Sequence, residues 1–126
     1  MDWENATIVG YLAVGGAVGT VLRYGVSRLI DSTEFPWGTF TVNFVGSFLL
    51  ALLFFYFLNG TGVSTELRLF LFIGFFGAFT TMSTFTVDTV SMYIDGRLGL
   101  AAVNFLLNSI FCLLGAFIGR YASTLL

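Results

Sequence analysis

Histidine and lysine are absent from this chain, and cysteine and proline each occur once in its 126 residues. A lone cysteine excludes an intrachain disulfide. Without histidine, the usual zinc-ligand and Cys/His catalytic sets have no residues to draw on, so metal-assisted hydrolysis is not expected. Charge is scarce as well: five arginines and seven acids make up 10% of the chain and leave a net charge of −2. Scattered in this way, the arginines form no basic patch for nucleic acid. The start, MDWENATIVG, carries two acids and no basic residue, so it reads as neither a signal nor a transit peptide. No P-loop is present to couple transport to nucleotide hydrolysis.

What the chain has is apolar bulk. Hydrophobic residues make up 57% of it, mean hydropathy is +0.94 and phenylalanine occurs 16 times, which places it in the membrane class. About 20 apolar residues cross a bilayer core, and the sequence divides into four such spans near 6–30, 37–58, 67–94 and 98–122. DSTEF at 31–35, NGTGVSTE at 59–66 and IDGR at 94–97 supply the polar turns, Pro36 suits the first position of the second helix, and Trp3 suits a headgroup-level anchor. Such short loops leave no room for a soluble domain. The expectation is one all-α transmembrane domain over 1–126, multi-pass in the cell membrane, with no repeat or linker.

Four spans put both termini on one side with Arg68 and Arg120, while Arg28 and Arg97 lie opposite and Arg23 sits deeper in the first helix. A chain with so little positive-inside bias has no strong reason to choose one orientation, so insertion both ways, and an antiparallel dimer, are open to it. A single orientation set by other factors is the alternative. Gly15 and Gly19, and Gly115 and Gly119, form two small-xxx-small pairs that permit close helix approach in general.

Polar residues inside spans are costly enough to suggest function. Thr39, Asn43 and Ser47 recur every four residues in the second span, as do Asn104, Asn108 and Cys112 in the fourth. Each stripe could line a pathway or hold a bundle together through interhelical hydrogen bonds. The third span adds TTMSTF at 80–85, with Thr80, Thr81, Ser83 and Thr84 in six positions. It is also longer than a straight crossing needs, and GFFGAFTT at 74–81 suggests a helix break near mid-depth, where freed carbonyls could hold a cation. The alternative is an unbroken helix that packs on Gly74 and Gly77 and folds its hydroxyls onto carbonyls one turn earlier. Amides and hydroxyls donate hydrogen bonds, and Asp88 is the one carboxylate well inside a span, so the set suits a small anion better than a cation. Phe85 could offer such an anion its positive ring edge. Arg23 either faces a watery vestibule, raising the local anion concentration, or snorkels to the interface.

GGAVGTVLRY at 15–24, PWGTFTVNFVGSF at 36–48 and GFFGAFTTMSTFTVDT at 74–89 together resemble the fluoride channels called Fluc or CrcB, over essentially the whole chain. The resemblance implies an antiparallel, dual-topology homodimer with two fluoride pores and a structural sodium ion at its centre, between broken third helices. By matching position, Gly77 and Thr80 would give backbone carbonyls to the sodium, Asn43 would donate to fluoride and Phe85 would border the anion. Arg23 would sit in the aqueous entrance. Ser83, Thr84, Asn108 and Cys112 fall on the family's polar track, with Thr39 close by, and Asn104 and Met82 are expected along the same anion pore. Met82 departs from the pattern by replacing a pore phenylalanine with a thioether that has no positive edge. Asp88 stands where glutamate is common, and Asn104, Asn108 and Cys112 replace a tyrosine and serines of some members. The implied activity is passive, fluoride-selective conduction and not catalysis. A proton-coupled exporter of the small multidrug resistance type is the main competitor, but it relies on a first-helix carboxylate, and none stands between Glu4 and Asp31. A noncatalytic membrane subunit that only binds a partner protein is the other alternative.

Overall fold

The computed structural model describes residues 3–30 and 32–126, without the side chains of residues 3, 4 and 61. The Trp3 anchor and the turn residue Asp31 therefore lie outside what is described. Among the described residues the regular structure is helical throughout. Four helices are long and apolar enough to cross a membrane: Asn5–Ile30, Trp37–Gly60, Thr65–Ile94 and Leu98–Ala122. A spanning chain must satisfy its backbone internally, and helices do so within one segment.

The connections are tight. Pro36, expected as the first helical residue, stands one position earlier: its ψ of 65° is not helical, and the helix proper opens at Trp37. Its carbonyl still accepts the Phe40 N–H at 3.2 Å, so it closes the first turn from outside. The second turn is shorter than expected, because helical winding runs on to Asn59, Gly60 breaks it with non-helical angles (φ 179°, ψ −31°), and winding restarts at Thr65. Ser64 Oγ caps that restart by accepting the Leu67 N–H at 3.2 Å. At the third turn Gly96 takes φ 75°, a value that favours glycine. Arg97 Nη1 then donates to the Glu34 carbonyl at 3.0 Å and ties the first and third turns together at one end of the bundle.

Glycines bring the spans close. A Cβ on Gly15 or Gly19 would run into the carbonyls of Phe70 and Phe75 in the third span, and one on Gly119 would meet the Phe48 carbonyl in the second. Both small-residue pairs thus serve contacts within the chain. The first span packs along residues 65–79, the second along Cys112–Ala122, and Met82–Ile94 along Leu98–Leu106. Little of the chain is self-covered: 11% of the first span's most apolar stretch is buried and no more than 28% of any span's. Val21, Ile73 and Phe117 stand 69%, 61% and 64% exposed, surface suited to lipid or to another protein.

The third span changes partners partway along. Residues Leu69–Phe75 wind with i→i+5 bonds, the Phe76 N–H reaching the Leu71 carbonyl. Thr80 (φ −82°, ψ 157°) and Thr81 (φ −147°, ψ 110°) are extended, and helical winding resumes at Met82. This extended step lets the first half lie on the first span while the second half lies on the fourth.

Gly19→Ala should destabilise the fold by about 2 kcal/mol, since the added methyl meets backbone that cannot yield without parting two spans. Gly10→Ala, with nothing within 4 Å of the new methyl, should be close to neutral. Unfolding of both variants in mixed detergent–SDS micelles measures the difference.

Candidate functional site

An extended pair inside a membrane span strands backbone polar groups, which cost free energy when buried without partners. Asn43, one of the buried polar residues of the second span, meets this need. Its Oδ1 accepts the Thr81 N–H at 2.7 Å, and its Nδ2 donates to the Thr81 carbonyl at 3.0 Å. One side-chain amide thus pairs with both backbone groups of one residue, as a neighbouring strand would.

Thr81 also starts the next helix. Its Oγ1 accepts the Thr84 N–H at 3.2 Å as an N-cap and donates to Thr84 Oγ1 at 2.9 Å, with Ser83 Oγ at 3.4 Å. Thr80, Thr86 and Thr89 fold their hydroxyls back onto carbonyls, Thr80 onto Phe76 at 2.9 Å, Thr86 onto Ser83 at 2.8 Å and Thr89 onto Phe85 at 2.7 Å. Such back-bonding lets hydroxyls sit in an apolar span without an external partner.

The fourth span contributes the remaining amides. Asn43 Nδ2 donates its second proton to Asn108 Oδ1 at 2.8 Å. Asn108 Nδ2 donates to the Asn104 carbonyl at 3.1 Å and to Asn104 Oδ1 at 3.0 Å. Asn104, with no exposed surface, donates to Thr89 Oγ1 at 2.9 Å and, at the outer limit of 3.5 Å, to the Phe85 carbonyl. On an α-helix, residues four apart drift by about 40° per step. The i→i+5 winding over Leu107–Phe111 offsets that drift and keeps Asn104, Asn108 and Cys112 near one stripe.

Two cavities open along these residues. A groove of about 190 Å³ is lined by Asn43, Ser47, Thr80, Thr81, Met82, Phe85, Asn108 and Cys112. Phe85 is buried against the fourth span, its ring 6.4 Å from that of Phe105, whereas Met82 is 71% exposed. About one turn further along, a mouth of about 300 Å³ is lined by residues 32–36 together with Thr84, Asp88, Ser91, Met92 and Arg97. Thr39 is buried beside it and donates to Asp88 Oδ2 at 3.1 Å. Of the expected site residues, the groove gathers Asn43, Thr80, Met82, Phe85, Asn108 and Cys112, and the mouth gathers Thr84. Ser83, Asn104, Arg23 and Gly77 line neither cavity. Ser47 and Thr81, to which the resemblance gives no role, both line the groove. The hydroxyl of Thr81 three residues before Thr84 is an N-cap signal that could have marked it in the sequence.

Residues 10–120 match the family model described as "CrcB-like protein, Camphor Resistance (CrcB)". The chain belongs to the CrcB family. Within this family it is 37% identical over 121 residues to the Fluoride-specific ion channel FluC of Magnetococcus marinus, covering 94% of this chain and 98% of the relative. It is 42% identical to the proteins of that name from Agrobacterium fabrum (88% of this chain, 91% of the relative) and Geobacter sulfurreducens (93% and 97%). CrcB membership and four apolar spans make it a multi-pass membrane protein, of the cell membrane in bacteria.

Asn43→Leu keeps the approximate bulk but leaves the Thr81 N–H and carbonyl without partners. It should destabilise this CrcB protein by about 2–3 kcal/mol, read as a shift in its SDS unfolding curve.

Proposed function

We propose that this chain forms a fluoride-selective channel that releases cytoplasmic fluoride passively, as a dual-topology homodimer with two pores and a structural sodium ion. The observation that carries the reading is the groove that unites Asn43, Ser47, Thr81, Phe85 and Asn108 from three otherwise apolar spans. CrcB relatives named as fluoride-specific ion channels support it.

The groove's chemistry suits a small, strongly hydrated anion. Fluoride loses water on entering a narrow path, and hydrogen-bond donors held by the fold can replace that water without reorganising. Six amide protons of Asn43, Asn104 and Asn108 already have acceptors inside the chain. The anion would draw on those of Asn43 and Asn108, which line the groove, by exchange, taking the place of an acceptor such as Asn108 Oδ1 and giving it back as it leaves. Binding by exchange is weak enough to permit release, which conduction requires. Phe85 would meet the ion with its positive ring edge, and Met82, which has none, would supply polarizable bulk on the open side. Thr39, Ser83, Thr84 and Cys112 would continue the polar wall. Arg23, half-exposed in the first span, would draw anions into the entrance. Fluoride that entered the cell as HF and ionised there would leave by this route, down its own gradient.

The residues expected to hold sodium fit that role. Thr81 gives its N–H to Asn43, so the Gly77 carbonyl, four residues back, loses the donor a continuous helix would supply. Gly77 is exposed with nothing within 4 Å of a Cβ placed there, so its face is open to a second copy. Carbonyls of Gly77 and Thr80 from two antiparallel chains would hold the cation there, and a bound sodium ion would neutralise the two helix ends that meet. The near-even arginine distribution and the poorly covered spans support pairing with an identical, oppositely inserted chain.

Purified protein in liposomes should discharge a fluoride gradient at channel rates and pass chloride far more slowly. Asn43→Asp, which sets a negative charge on the path, should reduce fluoride efflux to below about a hundredth of wild type. Equal passage of both halides by the native chain, or undiminished efflux in the variant, would contradict the reading.

A further inference from the structure

The hydrogen bonds at the groove form one directed chain. It begins at the Thr81 N–H, which donates to Asn43 Oδ1 at 2.7 Å. Asn43 Nδ2 donates to Asn108 Oδ1 at 2.8 Å, and Asn108 Nδ2 to Asn104 Oδ1 at 3.0 Å. Asn104 Nδ2 donates to Thr89 Oγ1 at 2.9 Å, and that hydroxyl donates to the Phe85 carbonyl at 2.7 Å. The circuit leaves the third span, crosses the second and fourth, and returns to the third.

Both ends are unambiguous. A backbone N–H can only donate and a backbone carbonyl can only accept, so the orientation of every amide between them is fixed. The Asn104 carbonyl, which accepts from Asn108 Nδ2 at 3.1 Å, fixes the middle amide independently. In the low dielectric of a span, head-to-tail bonds polarise one another, so a member's loss is felt beyond its direct neighbours.

We infer that Asn104 is a positioning residue for the pore, acting through Asn108 on Asn43 and so holding the extended step at Thr81. Asn104 lines neither cavity and has no exposed surface, so it meets no ion in the groove. Its amide joins the end of the circuit anchored on Thr89 to the end that faces the groove. This role deepens the channel reading and rests on it for its functional consequence, while its structural consequence stands apart from conduction.

The test is hydrogen exchange at the Thr81 amide, followed by NMR on the full-length protein in lipid nanodiscs, alongside fluoride efflux from liposomes. Asn104→Leu removes the link, and Thr89→Val, which keeps shape, removes the one hydroxyl that accepts from Asn104 and donates to the Phe85 carbonyl. Each should speed Thr81 exchange by about tenfold and leave interior amides of the second span, such as that of Leu52, unchanged. Fluoride efflux should fall by a comparable factor in both variants. Should Asn104→Leu fail to fold, Thr89→Val decides alone. Unchanged Thr81 exchange in the folded variants would overturn the role, as would a uniform rise across all amides. A native chain that passes no fluoride yet shows the selective exchange effect would overturn the channel reading and leave the positioning role standing.

Discussion

The whole arrangement depends on one side chain pairing with both polar groups of one backbone residue. Extended backbone inside a span is tolerated only where something satisfies it, and the Asn43 amide does so for Thr81 with bonds of 2.7 and 3.0 Å. With that pairing in place, the third span can turn from the first span to the fourth, Thr81 can cap the helix that follows, and the groove has a polar wall. Without it, the cheapest alternative for Thr81 is to return to helical geometry, which would close the step and redirect Phe85 and Thr84.

Around this polar seam the chain behaves as membrane solvent requires. Lipid tails offer no hydrophobic gain for helix association, so close backbone approach and interhelical hydrogen bonds carry it instead. Gly15, Gly19 and Gly119 provide the first, and the three asparagines provide the second by linking the second, third and fourth spans. At one end Arg120 lies over the Phe55 ring at 4.9 Å, so even a rare cation is placed to lose little in an apolar setting. Much of the remaining surface is apolar and uncovered by the chain itself, in keeping with contacts to lipid or to another protein.

Hydropathy alone marked the four spans, because about 20 apolar residues between polar turns admit few other solutions. Its errors are local: Pro36 falls just outside its helix, and winding continues into the NGTGV segment, since length and composition do not specify where hydrogen bonding stops. Taken singly, each stripe in the second and fourth spans left glue and pathway as equal readings, and the two together with the hydroxyl cluster favoured a pathway. In the structure Asn43 and Asn108 join spans and line the groove at once, so the two readings are not exclusive. What no periodicity could reveal is direction. Thr81 N–H to Phe85 carbonyl is a circuit of residues from three helices, and its sense is set only when a donor on one span faces an acceptor on another.

The directed amides matter because they decide what an ion meets. Donors already engaged inside the fold must be exchanged rather than simply occupied, and a small anion that accepts strongly is the partner best able to make that exchange. Solid-state NMR of the protein in bilayers, measuring 19F–15N dipolar coupling from bound fluoride to selectively labelled asparagine side chains, tests this most directly. Coupling to the Asn43 or Asn108 side-chain nitrogen is the expected result. Bound fluoride coupled to neither, while contacting other sites on the protein, would contradict the account.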